Sequence, residues 1–532
     1  MRPLWANVFR WAALSSLVIA IQWSSGAYQS ETGGSPDEAA HIVSGLMMRD
    51  YFSSGWGRGP IEFAADYYLH YPKVAVGHWP PVFYLEQAVW TRVFPTSRAS
   101  LLVMMALQGG LLAALLWPFL RARYGSLSAW LGILVLLTLP GLAPLGGMIM
   151  TEIPIAVLIL LAMFSWSRFL ESGRAWPAIA FGLLSAAAIL TKGTGAVLAG
   201  VPLLSVALAG SPKRLRSVWF WIPALIVVVT CGPWYLLAPG AMHERVAAYG
   251  GLGLATSRFN FPLGWADEFG WVIAVLALAG LTILLYRRVM GSAVDDLMVS
   301  AAALGVTATV FPMLVGAWEP RHLVEVAPAF LLLAAVGVGW IASWPLPNLS
   351  ARASSAVLVL VAVGTIAWNV SFLRRQEPLG YRQLSARIVA SPLGPARTIL
   401  ISGDSVAEGA LISETALREP HPARYIVRGT KLFADIEWMG KVKNLRVTSA
   451  AEVQALLSSL PFDLIVVDRS APAPYAYQSQ LLQALAEHPE YWRDADGGDP
   501  RFSIFRRVAE GPEISSSQIE ASLKAVLAPP VP

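Results

Sequence analysis

Long apolar runs recur along the first 375 residues, separated by short polar connections. About eleven are long enough to cross a bilayer as helices: roughly 11–27, 99–120, 126–142, 153–170, 176–190, 195–210, 217–237, 268–286, 298–316, 323–341 and 355–373. Every second connection is basic, with Arg121 and Arg123, then Arg168 and Arg174, then Lys213, Arg214 and Arg216, then Arg287 and Arg288, then Arg352. Positive charge marks cytoplasmic loops, so this alternation gives one consistent orientation with the N-terminus inside. An odd number of crossings leaves the remainder outside, and there the pattern changes. Thr398–Gly403, Tyr425–Val427, Leu445–Val447 and Leu464–Val467 read as strands, and 405–417, 449–459 and 476–487 read as helices between them. The pattern predicts a polytopic α-helical membrane protein over 1–375, with a long first outer loop at 28–98. A small α/β domain at 380–510 and a flexible tail at 511–532 follow.

Composition agrees with this reading. Hydrophobic residues make up 55% of the chain and charged residues 14%, too apolar a balance for a soluble protein of 532 residues. The net charge of +5 comes from clusters between apolar runs and is no sign of nucleic acid. One cysteine, Cys231, cannot form a disulfide within the chain and says nothing of redox compartment. Arg2 and Arg10 precede the first run, and Ser24-Ser25-Gly26-Ala27 after it leaves a cleavable leader as a competing reading.

Distinctive polar residues gather on the outer side. Asp37 and Glu38 lie just beyond the first run, and carboxylates at a membrane edge are seldom kept without a partner or a task. Later in the same loop, His78-Trp79-Pro80-Pro81-Val82-Phe83-Tyr84 cannot continue a helix. Its diproline predicts a rigid turn presenting aromatic faces and an imidazole, suited to a sugar ring or a lipid headgroup, or to anchoring the loop in an aromatic belt. Thr151-Glu152 opens a span, where a helix dipole alone favours an acid. In Thr191-Lys192-Gly193-Thr194-Gly195, the glycines allow close backbone approach to a ligand, and Lys192 suits either a phosphate or the interface. Trp318-Glu319-Pro320-Arg321-His322 precedes another span, and Arg321 is a natural bidentate phosphate partner. His243, Glu244 and Arg245 show no informative spacing. Acids able to serve as a base, and cations able to hold a phosphate, are the parts needed to break a sugar–phosphate bond.

This order of motifs resembles the GT-C glycosyltransferases that use polyprenyl-phosphate sugars, in the branch of the protein O-mannosyltransferases (glycosyltransferase family 39) and the lipid A aminoarabinose transferases. The residues carrying the resemblance are Pro36-Asp37-Glu38, Pro80-Pro81-Val82-Phe83-Tyr84, Thr151-Glu152, Thr191-Lys192-Gly193, and Arg321-His322 with Val326-Ala327-Pro328. It implies a GT-C bundle in a bacterial inner membrane, with the C-terminal domain periplasmic. It also implies a sugar donor on a polyprenyl phosphate, a hydroxyl acceptor that is protein, lipid or glycan, and inversion at the anomeric carbon. Asp37 matches the family's catalytic base, with Glu38 beside it able to share a proton. Lys192, Arg321 and His322 would bind the donor phosphate, and Glu152, His78, Trp79 and Tyr84 the substrates. The chain departs from the pattern where Trp79 separates His78 from the diproline, and where Glu152 stands at a common Asp position.

Other readings remain open at this stage. A transporter or flippase of a lipid-linked saccharide needs the same apolar groove, but tends to place charges at mid-membrane on broken helices. A non-catalytic scaffold is a further reading. Gly403-Asp404-Ser405 suggests a hydrolase nucleophile, but no Asp-x-x-His block accompanies it and a capped helix start explains it. No cofactor is required for certain, and a divalent metal at Asp37, Glu38 and Glu152 is left open. Asn348-Leu349-Ser350 and Asn369-Val370-Ser371 are sequons by pattern, one expected in the cytoplasm and one at a span end.

Overall fold

The computed structural model describes residues 2–75, 77–237, 264–314, 319–342, 351–390, 396–436, 442–470, 475–495, 499–508 and 515–526. The motif around His243, residue Trp318 and the sequon at Asn348 lie outside these. Helix α1 (Arg2–Ser24) is followed by three helices in the first outer loop, α2 (Pro36–Asp50), α3 (Pro60–His70) and α4 (Val82–Val93). The bundle continues through α5 (Arg98–Leu137), the short α6 (Leu142–Gly146), α7 (Glu152–Ser172), α8 (Ala175–Thr191), α9 (Val201–Ala209) and α10 (Val218–Leu237). Next come the short α11 (Gly264–Phe269), α12 (Trp271–Val289), α13 (Asp296–Leu314), α14 (Ala327–Ala342) and α15 (Ala351–Ser371). Among the described residues, five helices are long and apolar enough to cross a membrane: Arg98–Leu137, Glu152–Ser172, Val218–Leu237, Trp271–Val289 and Pro320–Ile341. Ala175–Thr191 and Gly193–Ala209 are apolar but shorter.

The apolar pattern predicts two spans over 99–142, and the structure shows why. Helix α5 is 40 residues long but breaks at Gly125, whose φ of 83° and ψ of 171° no helix accommodates. Arg121 and Arg123 sit just before that break. The crossings share one large apolar core that runs from Leu14 of α1 to Val336 of α14.

After the bundle, α16 (Tyr381–Val389) leads into a five-stranded sheet of order β2-β1-β5-β7-β6. Strands β1 (Thr398–Ser402), β2 (Tyr425–Arg428) and β5 (Leu464–Asp468) are parallel. Strands β6 (Trp492–Ala495) and β7 (Phe502–Arg507) complete the sheet antiparallel. The predicted strand at 445–447 forms earlier, as β4 (Val442–Leu445), outside this sheet in a hairpin with β3 (Ala434–Ile436). Side-chain alternation divides the sheet into two faces. Ile399 and Ile401 face α17 (Ser405–Arg418), while Leu400, Ile465 and Val467 face α19 (Ala450–Ser459) and α20 (Tyr477–Glu487) beyond the short α18 (Gly429–Leu432). The tail expected to be flexible is corrected by α21 (Ser516–Val526). It buries Ile519 and Leu523 among the residues of the second face, because its apolar positions recur at helical spacing.

The α17 face is continuous with the first outer loop. Ala40, Val43 and Leu46 of α2 share a core with Ala407, Ala410 and Leu411 of α17. Gly409 makes the contact close, since a Cβ there would lie 2.9 Å from the Ala39 Cβ.

One buried ion pair ties these parts together. Arg98 and Glu38 are 2% and 1% exposed at their side chains and meet at 2.8 Å. The Arg98 Nε also donates to Glu38 at 2.9 Å, and its remaining N–H groups donate to the carbonyls of Ala27, Ser30 (3.0 Å) and Gly147 (3.0 Å). All five guanidinium donors are used. Glu38 in turn accepts the backbone N–H of Gly33 at 2.6 Å and of Ile149 at 3.2 Å. The end of α1, the first outer loop, α5 and the loop before α7 are thereby held by one carboxylate and one guanidinium. Glu38→Ala leaves a buried charge unpaired, which costs about 3–5 kcal/mol. Thermal unfolding of the detergent-solubilised variant is expected well below wild type; an unchanged midpoint would contradict the structural role.

Candidate active site

Ser35, Pro36 and Asp37 begin α2 as helix starts usually do. Ser35 is the N-cap, accepting the Asp37 N–H at 3.3 Å, and Pro36 occupies the first turn. Adjacent helical residues project about 100° apart. Glu38 therefore turns into the core towards Arg98, while Asp37 turns towards the bundle mouth. The two acids do not share a proton, as the sequence suggested they could. Each has its own arginine.

Arg321 is the partner of Asp37, with its Nη2 2.7 Å from Asp37 Oδ2. It stands on the 3-10 turn Pro320–Val326 that leads into α14. Its Nε lies 2.8 Å from Glu319 and 3.9 Å from Glu152 Oε1. Glu152, fully buried at the start of α7, meets the Lys192 Nζ at 2.8 Å. Lys192 also reaches Glu325 at 3.1 Å. The result is an unbroken sequence of alternating charge, Asp37–Arg321–Glu152–Lys192–Glu325, assembled from four separate parts of the chain.

Local backbone chemistry explains the placement. Lys192 ends α8 in an extended conformation, at φ −157° and ψ 137°. Gly195 then folds the next turn back so tightly that a Cβ would sit 2.6 Å from the Ala188 carbonyl carbon. His322 shapes the opposite turn: its Nδ1 accepts the Glu319 N–H at 3.0 Å in a capping box. That ring nitrogen serves the turn, not a donor phosphate.

The diproline segment also differs from expectation. Pro81 is the N-cap of α4, so the turn is present. Trp79 and Tyr84, however, are buried at 4% and 3% exposure and offer no open aromatic face. They pack on His41 instead. The Trp79 ring lies 4.6 Å from the imidazole centroid, and the Tyr84 hydroxyl 3.1 Å from His41 Nδ1. His78 meets Trp79 edge-on at 4.6 Å.

His41, Glu325 and Lys73 were not singled out from the sequence. Two of them had a signal, because His41 follows Asp37 by four residues and Glu325 follows Arg321 by four. Burial pushes the His41 imidazole down to about 4, against the opposing pull of Asp37 and Glu152, so it is neutral at pH 7. Lys73 donates to the Pro36 carbonyl at 3.3 Å, and burial, with Arg428 adding to it, pushes its ammonium down to about 7. At Asp37, burial raises the carboxyl, but Arg321, His41 and Lys73 outweigh it and hold it below the usual carboxylate range. A divalent cation does not fit this donor set. Asp37 and Glu152 already face Arg321 and Lys192, Glu38 faces Arg98, and no group of three or more metal-ligating side chains occurs among the described residues.

Residues 78–237 match the family model described as dolichyl-phosphate-mannose-protein mannosyltransferase. That segment includes Trp79, Tyr84, Glu152 and Lys192. No curated protein sequence matches the chain at a significant level. Among solved structures, the chain is similar to ArnT from Cupriavidus metallidurans in the apo state, at 16% identity and a TM-score of 0.60, over 94% of this chain and 99% of that one. The same enzyme bound to undecaprenyl phosphate matches at 16% identity and a TM-score of 0.57, with the same coverage. The archaeal oligosaccharyltransferase AglB from Archaeoglobus fulgidus, in complex with an inhibitory peptide and a dolichol-phosphate, matches at 12% identity and a TM-score of 0.52, over 98% of this chain and 78% of that one. The fold is that of these ArnT and AglB structures, a helical bundle with a small C-terminal α/β region.

Proposed function

We propose that the protein is an integral membrane glycosyltransferase that moves a sugar from a polyprenyl-phosphate donor to a hydroxyl acceptor on the non-cytoplasmic side. The observation that carries this is the charge sequence at the bundle mouth, where Arg321 and Lys192 stand beside a carboxylate able to act as a base. The match of residues 78–237 to a polyprenyl-linked mannosyltransferase family supports it, as does the likeness to structures holding undecaprenyl phosphate and dolichol-phosphate. Transport has no comparable support, because the charged residues cluster at span ends on one face. The basic loops favour an N-terminus in the cytoplasm and a C-terminal domain outside a bacterial inner membrane.

The donor is a phosphodiester and stays anionic at any working pH. Its phosphate draws Arg321 and Lys192, which are cations already aligned by Glu152 and Glu325 and need little rearrangement. As Arg321 turns to the phosphate, Asp37 loses its partner and becomes a base for the acceptor hydroxyl. The hydroxyl oxygen forms the new bond to the anomeric carbon from the face opposite the phosphate, and its proton passes to Asp37. The bond from the anomeric carbon to the phosphate oxygen breaks with both electrons staying on that oxygen, and Arg321 and Lys192 stabilise the added negative charge of the departing polyprenyl phosphate. Configuration inverts. Neutral His41, fixed by Trp79 and Tyr84, lines the base without competing for its proton.

Purified protein in nanodiscs, given a panel of polyprenyl-phosphate sugars and a membrane extract as acceptor, is expected to release free polyprenyl phosphate from one donor, detected by mass spectrometry. Asp37→Asn should lower that release at least a thousandfold without changing folding. Wild type inactive on every donor, or an Asp37→Asn variant with normal turnover, would sink the assignment.

The pH dependence follows from the same exchange of partners. In the free enzyme, Arg321 keeps Asp37 ionised to below the usual carboxylate range. In the donor complex, with Arg321 engaged elsewhere, burial prevails and the carboxyl takes up its proton at higher pH. The acidic limb of kcat is therefore expected at higher pH than that of kcat/KM, since the two report the complex and the free enzyme. Coincident limbs would mean that Asp37 keeps its arginine throughout.

A further inference from the structure

The C-terminal sheet contains a second polar cavity that the chemistry above does not use. Strand β1 runs through α17 to β2 on one side, and the chain later returns through α19 to β5 on the other. The reversal of direction leaves a crevice beyond the carboxyl ends of β1 and β5, where open α/β sheets hold ligands. A cavity of about 130 Å³ occupies that position. Gly403 and Asp404 follow β1 into it, and Asp468 and Ser470 enter from β5.

The polar groups define what fits. Asp404 Oδ1 caps α17, accepting Val406 N–H at 2.9 Å and Ala407 N–H at 2.7 Å. The helix N-terminus is therefore closed to a phosphate. Asp468, 6% exposed, accepts the Tyr381 hydroxyl on Oδ2, and the Ser470 N–H (2.8 Å) and hydroxyl (2.6 Å) on Oδ1. Its backbone carbonyl accepts from Gln478 at 2.8 Å. Asp468 is thus already solvated by protein donors on both oxygens and Asp404 on one, which weakens the pull on a cation. Arg501 opposes them. Its Nη1 is shielded from solvent and has no hydrogen-bond partner among the described residues. Arg501 would repel a cation, and the aspartates would repel an anion. A neutral group offering both hydroxyl donors and acceptors suits these three side chains together, with an apolar face for Leu379, Val406 and Ala407 on the cavity wall.

We infer that this crevice binds a neutral sugar unit and is an anchoring subsite for the acceptor. The second half of the inference rests on the glycosyl-transfer reading. Helix α17 links the two sites. Its N-terminus opens on the crevice, and Gly409, about 7.5 Å further along at 1.5 Å per residue, packs on Ala39 two residues beyond Asp37. Lys73 lies 3.1 Å from where a Gly409 Cβ would stand and feels the charges of both Asp37 and Asp404. A sugar held in the crevice would therefore place an acceptor chain over α2 and the base.

The test is saturation-transfer NMR on the full-length protein in nanodiscs, with methyl glycosides of neutral hexoses and pentoses as probes and glucosamine and glucuronate as charged controls. We expect transfer to at least one neutral glycoside, weakened at least tenfold by Arg501→Gln and by Asp404→Asn, which retains the helix cap. Transfer to no glycoside, transfer to the charged sugars alone, or equal binding by wild type and both variants would overturn the inference. Arg501→Lys, with a thermal melt matching wild type, separates lost recognition from lost folding. Binding is read without catalysis, so an inactive wild type that still binds glycosides would remove the transfer reading while leaving the sugar site.

Discussion

A buried carboxylate must have a partner, and Glu38 finding Arg98 is the pairing on which the site depends. A charge taken out of water is tolerated only when fully paired and hydrogen-bonded. Here every oxygen of Glu38 and every N–H of Arg98 is committed, to four separated segments of chain. That commitment sets the rotation of α2. With Glu38 turned inward, helical geometry leaves Asp37 pointing at the mouth, where Arg321 arrives from the turn before α14.

The mouth uses charge differently. Its groups alternate in sign, and each cation touches two or more acids, so that no single ion pair is closed. Arg321 meets Asp37, Glu319 and Glu152, and Lys192 meets Glu152 and Glu325. An arriving phosphate can take these cations by exchanging one anion for another. The proposed mechanism uses that exchange: donor binding and activation of the base become one event, and a base paired to arginine stays quiet in the absence of donor.

Much of this was legible in the sequence. Apolar length located the helices of the bundle, including the two segments that Gly125 makes out of one long helix, because that signal is local; against about eleven expected spans, five helices among the described residues are long and apolar enough to cross. Asp37, Glu152, Lys192 and Arg321 were found as polar residues at span ends, and the structure brings them within ion-pair distance. What sequence reasoning missed were pairings across long separations. Nothing near Arg98 announces a carboxylate 60 positions earlier. Trp79 and Tyr84 read as an open aromatic surface, since composition cannot tell a ring facing solvent from one packed on His41. The capping role of His322 Nδ1 could not be read either, because it depends on the 3-10 turn around it. The tail read as loose because the period in Ile519 and Leu523 is only one turn long.

The central claim is that Asp37 and the donor phosphate compete for Arg321. Equilibrium binding of polyprenyl phosphate to wild type and to Asp37→Asn in nanodiscs tests it most directly. Removing the carboxylate frees Arg321, so the variant should bind polyprenyl phosphate several-fold more tightly while transferring no sugar. Equal or weaker binding by Asp37→Asn would show that the arginine is not shared, and the account of how the base is released would fail.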